Sequence, residues 1–256
     1  MFVRFGHQTQ DKARAERAVA VLPLAAMEAH GPHLPLATDA LIAEGILDRA
    51  AELATGSQEV LRLPVLWLGA SIEHADRAGT LSQEPEQLIA QIVSIGEGLT
   101  KSGISRIVLF NGHGGNIAPA AIAALKLRTR FGMLAASAQW LDFGLPDGLV
   151  PPAPVAIDVH GGWVETSVLL HLEPDLVVRG AVANRPAAPP ASMLFPSGPI
   201  NWGWKTDDLA DQGGDGGWIG EARLADPALG AQMVDHAARA LNKLLDEIAS
   251  ARWPRA

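Results

Sequence analysis

Residues 28–39, running from Glu28-Ala29-His30-Gly31-Pro32-His33 to Thr38-Asp39, are the most informative stretch of the sequence. Glu28 and His30 are two apart, so on an extended backbone both point to the same side. Asp39 opens an amphipathic stretch. One strand end and one helix start thus bring a carboxylate, an imidazole and a second carboxylate together. That donor mixture suits a borderline divalent metal such as Zn, Mn or Fe. Asp39 has two oxygens and could bridge two ions, as dinuclear sites with ions about 3.5–4 Å apart require.

A second motif is Asn111-Gly112-His113-Gly114-Gly115-Asn116, at the end of another apolar run. Small residues around a histidine let the backbone turn sharply and approach a ligand closely. The motif lacks the Gly-Lys-Ser/Thr of a phosphate-binding loop and the glycine spacing of a dinucleotide fold. A third is Asp158-Val159-His160-Gly161-Gly162-Trp163-Val164-Glu165-Thr166-Ser167. His160 and Glu165 are five apart and would not share a face of a regular helix. They converge if His160 lies in the loop and Glu165 in the first helical turn. Glu165 could then ligate metal and His160 could shuttle a proton; taken alone, Glu165 is equally a first-turn carboxylate favoured by the helix dipole. His33 and His74 are further candidates to contact substrate. Trp202, Trp204 and Trp218 stand among glycines, either as a movable aromatic wall or as loop anchors packed on the core. Ser167 has no base beside it, so no serine hydrolase is read here.

The elements that must position these groups alternate. Strands are expected over 19–26, 60–68, 104–110 and 133–140, and helices over 39–54, 86–101, 118–131, 163–172 and from Asp226-Pro227 to about 251. Asp39 is the expected N-cap of the first helix, and Pro23 suggests an irregular or edge position for the first strand. Residues 142–158 read as loop, and 185–220, rich in Gly, Pro and Trp, as a long irregular segment. This alternation implies an α/β fold with a mostly parallel sheet covered on both faces. No repeat or composition shift divides residues 1–256, so one domain is expected. Glu28, His30 and His113 all fall just past strand ends, where open α/β sheets bind ligands.

Composition narrows the function. Cysteine is absent, so any metal is held by His, Asp and Glu. The formal net charge of −8 argues against nucleic-acid binding, which needs a basic footprint. No apolar run is long enough to span a bilayer, and no apolar stretch follows Arg4, Asp11, Lys12 and Arg14 as in a secretory signal. A cytoplasmic protein acting on a small molecule is expected.

These segments resemble the creatininase (creatinine amidohydrolase) family. The match is carried by Glu28-Ala29-His30-Gly31-Pro32-His33 with Asp39, by Gly79-Thr80-Leu81-Ser82 after His74, by Asn111 to Asn116, and by His160-Gly161-Gly162-Trp163-Val164-Glu165-Thr166-Ser167. The resemblance implies a three-layer α/β/α sandwich, a homo-oligomer that is often a hexamer, two divalent metals (Zn and/or Mn, with Fe an option), and hydrolysis of a non-peptide C–N bond, typically in a cyclic amide. Glu28, His30, Asp39 and His113 map onto metal ligands, with Asp39 bridging. His160 maps onto a histidine near the scissile bond and Glu165 onto the acidic site residue. One departure matters: creatininases proper carry a metal-binding Glu where Gly115 stands. Either Glu165 completes the second metal's shell, or that metal is weakly held or absent. A Trp of creatinine-hydrolysing members is Ala156 here. Other branches cleave formamides, release residues from a modified peptide or open sugar-derived rings.

The resulting expectation is a metal-dependent amidohydrolase in which metal-activated water attacks an amide carbonyl and His160, or Glu165 if it is not ligated, protonates the leaving nitrogen. A lactone or C–C hydrolase using the same metals is one rival. A non-catalytic metal-binding homologue is another, favoured if Glu165 points away from the cluster.

Overall fold

The computed structural model describes residues 1–10, 12, 17–56, 58–188, 193–196, 200–209 and 216–253. Five strands form one sheet: β1 (Phe2–Arg4), β2 (Val19–Leu24), β3 (Val60–Arg62), β4 (Arg106–Asn111) and β5 (Leu134–Gln139), in the order β1-β3-β2-β4-β5. Every neighbouring pair is parallel. The helices are α1 (Thr38–Leu53), α2 (Pro85–Lys101), α3 (Ile117–Phe131), α4 (Trp163–Leu172) and α5 (Pro227–Ser250).

The alternation of side chains along β2 sorts the helices into layers. Val19 and Val21 pack with α1, α4 and α5 through Ile42, Ile46, Trp163, Val168, Ala238 and Leu241. Ala20, Leu22 and Leu24 pack with α2 and α3 through Leu88, Ile92, Ala123 and Leu127. The result is a three-layer α/β/α sandwich. β2 is wholly buried, as a strand covered on both faces must be. From β2 the chain crosses to β3 on one side and later returns to β4 on the other. The gap beyond the carboxyl ends of β2 and β4 is therefore the topological switch point, where such sheets open a crevice.

Several expected boundaries shift. Pro23 lies in the central strand, not at an edge. Its carbonyl accepts from Leu66 N on the β3 side, so its missing N–H also faces that side, past Arg62 where the ladder with β3 has ended. β3 stops at Arg62, short of the expected 60–68, because Pro64 cannot continue the ladder; Leu66 makes only an isolated bridge to Leu24. The N-cap of α1 is Ala37, and Asp39 lies inside the first turn with its side chain buried. Asp226 does cap α5, accepting from Ala228 N at 2.8 Å.

β1 was not expected from the sequence; it is three residues long and carries no periodicity to read. Residues 140–143 form a short 3₁₀ turn that begins at the last residue of the expected strand, and 155–157 form another within the expected loop. The expected irregular segment holds a small antiparallel pair, β6 (Asn184–Arg185) with β7 (Gly220–Glu221), and a 3₁₀ turn at Thr206–Leu209. Residues 189–192, 197–199 and 210–215 of that segment lie outside those described. No helix among the described residues is long and apolar enough to cross a membrane.

Candidate metal centre

Two asparagines fix the turn after β4. Asn111 Nδ2 donates to His113 O at 2.6 Å, and Asn116 Nδ2 donates to Ala25 O at 3.0 Å while its Oδ1 accepts from Ala70 N at 2.9 Å. The turn is thereby tied to the end of β2 and to the segment that follows β3. Gly112 lets α1 start against it: a Cβ there would lie 2.7 Å from Asp39 O. Asp39 is thus held under His30 and His113.

Glu28, His30 and His33 are fully buried, Asp39 nearly so, and His74, His113 and His160 are buried as well. His30 Nε2 lies 3.1 Å from Asp39 Oδ1, 3.7 Å from Glu28 Oε1 and 3.8 Å from Glu165 Oε2. His113 Nδ1 lies 3.2 Å from both Glu28 Oε1 and Asp39 Oδ2. His160 Nδ1 lies 3.6 Å from Glu28 Oε1. Each of these three histidines spends its other nitrogen as a donor to a backbone carbonyl. His30 Nδ1 bonds Glu28 O at 3.1 Å, His113 Nε2 bonds Ala70 O at 3.2 Å, and His160 Nε2 bonds Ala29 O at 2.7 Å. In the neutral form, each would therefore turn a lone pair toward carboxylate oxygens, an arrangement that requires a cation between them.

Two further observations agree. Glu28 Oε1, His30 Nε2 and Asp39 Oδ2 are buried without a hydrogen-bond partner, a costly state for polar atoms that no ion contacts. Protons partly answer the need in the bare chain. Burial opposes charge on His30, but Asp39, Glu165 and Glu28 raise it to about 10. Against the same burial, Glu28 and Asp39 hold His113 well above its ordinary value. Glu28 stays well below the usual carboxylate range, with His113 overcoming its burial. Asp39 is also lowered, its burial and the Glu28 charge being outweighed by His30 and His113.

Three ligand triplets follow, each with donor atoms within 4.8 Å of one another: Glu28–Asp39–His113, His30–Asp39–Glu165 and Glu28–His30–His160. Asp39 belongs to the first two and turns a different oxygen toward each. Glu165, in the first turn of α4, faces inward, and its Oε2 also accepts from Gly161 N at 2.6 Å. His160 and Glu165 converge on the cluster from the loop and the helix.

The remaining sequence candidates divide. His74 belongs to the cluster: it stacks on His160 at 4.1 Å, lies 4.0 Å from Glu28 Oε1 and bonds Thr206 Oγ1 at 2.6 Å. Trp204 meets His74 edge-on, and Trp202 and Trp204 line a pocket of about 630 Å³ together with Glu73, Gly114 and Gly115. His33 makes its hydrogen bonds toward the start of α4. Its Nε2 bonds Gly161 O at 3.0 Å and lies 3.1 Å from Thr166 Oγ1, which braces the start of α4. Trp218 is an anchor: its Nε1 donates to Ala183 O at 3.2 Å, and Arg185 lies over its ring. Sequence reasoning passed over Ser71, whose hydroxyl donates to Glu28 Oε2, and Glu73, 3.5 Å from His113 Nε2. Their signal was proximity: both stand within three residues of His74, in a segment without periodicity.

Comparison with known proteins follows the same lines. Residues 7–245 match the Creatininase family model, described as creatinine amidohydrolase. The chain belongs to the creatininase family. It is 34% identical to the mycofactocin precursor peptide peptidase of Mycolicibacterium smegmatis, over 74% of this chain and 72% of that protein. It is 29% identical to the creatinine amidohydrolase of Pseudomonas putida, over 73% and 77%. Among solved structures, a creatininase in its Mn form and a creatininase variant of Zn–Zn type each align with a TM-score of 0.76 at 25% identity. They cover 98% of this chain and 99% and 98% of theirs. The chain is thus a creatininase-family hydrolase with candidate metal-binding groups, and two of its structural neighbours are Zn and Mn forms.

Proposed function

We propose that the chain is a dinuclear, metal-dependent amide hydrolase whose substrate is a peptide or peptide-derived amide, not a cyclic amide such as creatinine. The carrying observation for the dinuclear part is the double use of Asp39, whose two oxygens face His30 and His113 separately. Glu28, Asp39 and His113 would hold one ion; His30, Asp39 and Glu165 would hold the other. Support for the substrate class comes from the peptidase relative, the more similar of the two, and from Gly115, which stands where creatininases proper carry a ligating Glu. A pocket of about 630 Å³ beside the cluster is within the range of ligand sites.

When bound, the ions supply a water of lowered pKa and polarise the scissile carbonyl. The chain's own residues do the rest. Burial, helped by His30, lowers His160 below its ordinary value, so its Nδ1 carries a lone pair at neutral pH. With Nε2–H committed to Ala29 O, Nδ1 is the atom that takes a proton from the attacking water and returns it to the leaving nitrogen. Glu28 Oε1, 3.6 Å away, steadies the imidazolium between those two transfers. Trp202 and Trp204 screen the cluster from bulk water.

The test is hydrolysis by Zn- or Mn-loaded protein, followed by mass spectrometry, of a peptide panel beside creatinine and other cyclic amides. Peptide cleavage that disappears on chelation and returns with metal is expected. Cleavage of cyclic amides alone would overturn the substrate class. No hydrolysis by protein holding two ions would favour the non-catalytic homologue.

A further inference from the structure

The pocket beside the cluster has one carboxylate against a candidate ligand, and the sequence pattern does not account for it. Glu73 lies in the 3₁₀ turn Ile72–His74, three-quarters or more buried, with Oε1 3.5 Å from His113 Nε2. That nitrogen gives its hydrogen bond to Ala70 O at 3.2 Å, and Glu73 Oε1 faces the same N–H as a second, more distant acceptor. The opposite ring nitrogen, Nδ1, faces Glu28 and Asp39. Gly115 is the other half of the arrangement. A Cβ built there would lie 2.6 Å from Glu73 Oε1, 2.6 Å from His113 Nε2 and 2.3 Å from Ala70 O. A side chain at 115 would press on Ala70 O and the His113 ring and would push the Glu73 carboxylate aside.

We infer that Glu73 is a positioning residue of the metal centre: beside Ala70 O it reinforces the Nε2–H tautomer of His113, with the Nδ1 lone pair aimed at the Glu28–Asp39 carboxylates, and Gly115 is the vacancy of side chain that admits it. The inference rests on the proposed metal centre. A carboxylate behind a ligating imidazole fixes ring orientation and raises basicity, and its loss typically costs about 10–100-fold in metal affinity. The acid that creatininases proper place at position 115 is thereby exchanged for one reaching the same neighbourhood from residue 73, acting through His113.

The test uses the full chain, with Zn²⁺ binding followed by calorimetry and the His113 ring followed by ¹⁵N NMR of the Zn-loaded protein. Glu73→Ala is expected to weaken one of two Zn²⁺ sites about 10–100-fold and to shift or broaden the His113 Nε2–H signal. Glu73→Gln keeps an acceptor oxygen at that place and should restore affinity to within a few fold, together with the signal. Folded Glu73→Ala protein that binds both ions as the parent does, with an unchanged His113 signal, would overturn the inference and leave the metal centre standing. Equal losses in Glu73→Ala and Glu73→Gln would overturn the acceptor role. A parent chain that takes up no Zn²⁺ would instead sink the dinuclear reading itself.

Discussion

The two candidate ligand triplets share Asp39 but are built differently. Glu28–Asp39–His113 is drawn from the ends of β2 and β4 and the first turn of α1, and all three residues are buried. Each of its outer members has support behind it: Ser71 on Glu28, and Ala70 with Glu73 on His113. His30–Asp39–Glu165 reaches instead to α4, an element outside the sheet. Its outer carboxylate is 16% exposed and is steadied by one backbone donor, Gly161 N. Sites on strand ends are held by the sheet's own ladder, whereas a site closed by a helix is only as firm as that helix's seat. The first triplet should be the tighter and the second the exchangeable one.

The largest effect should come from the shared residue. Asp39→Ala is expected to remove both ions, from two per subunit to none, and to lower hydrolysis by about 10²–10³-fold, the scale seen when a principal electrostatic group is lost. Elemental analysis beside circular dichroism reads this directly. Folded Asp39→Ala protein with two ions would break the bridge and, with it, the comparison.

Removing one outer ligand separates the triplets. Glu165→Gln should leave about one ion per subunit, with the retained ion bound as tightly as the tighter ion of the parent; Glu28→Gln should cost the tighter ion first. If the two variants lose the same ion, the triplets are not distinct sites.

Protons should report on the exchange of charge in both. In the metal-free chain His30 is raised to about 10 and His113 is also raised, by carboxylates that outweigh their burial. Both are protonated at pH 7 and must give up a proton to ligate, so loading should release about two protons and tighten with rising pH. Calorimetry in buffers of different ionisation enthalpy counts them; release of none would mean that His30 and His113 are not ligands. For stability the sign is opposite. A raised histidine pKa contributes fully below about 6.5 and loses that contribution as pH rises through the folded value, about 10 for His30. Metal-free protein should therefore weaken toward alkaline pH, while loaded protein should not.

How much of this was legible follows the same division. β2 and β4 show as apolar runs ending in His- and carboxylate-bearing turns, so Glu28, His30 and His113 could be placed together from the sequence. Asp39 reads both as a cap, which its type suits, and as a bridging ligand beside Glu28 and His30. Its place beside His30 and His113 depends on Gly112 letting α1 approach β4, a tertiary fact with no local signature. His160 and Glu165 depend on where α4 begins, which Gly161 and Gly162 marked. Ser71 and Glu73 were missed because a short 3₁₀ turn has no periodicity and each has one partner, far away in sequence. The converse holds for His33: its neighbours in sequence carry the chemistry, while its own contacts reach across to Gly161 and Thr166.

The smallest effect tests the seat of α4. Asp158 accepts from Trp163 N and Val164 N, each at 2.8 Å, and so closes the first turn that carries Glu165. Burial raises its carboxyl to about 6 against those donors. A raised carboxyl favours the fold while protonated, so its contribution falls as pH climbs from about 4 to about 6 and is level above that. Asp158→Asn loses one acceptor and cannot titrate. It should cost about 1 kcal/mol, as for a lost cap, lowering Tm by about 2–4 °C for a chain near this size. The deficit should be greater at pH 4 than at pH 7.5. Because Asp158 supports α4 and not the sheet, the same variant should loosen the Glu165 ion while leaving the Glu28–Asp39–His113 ion unchanged. Equal loosening of both would mean that the two triplets are one rigid unit, firm or loose together.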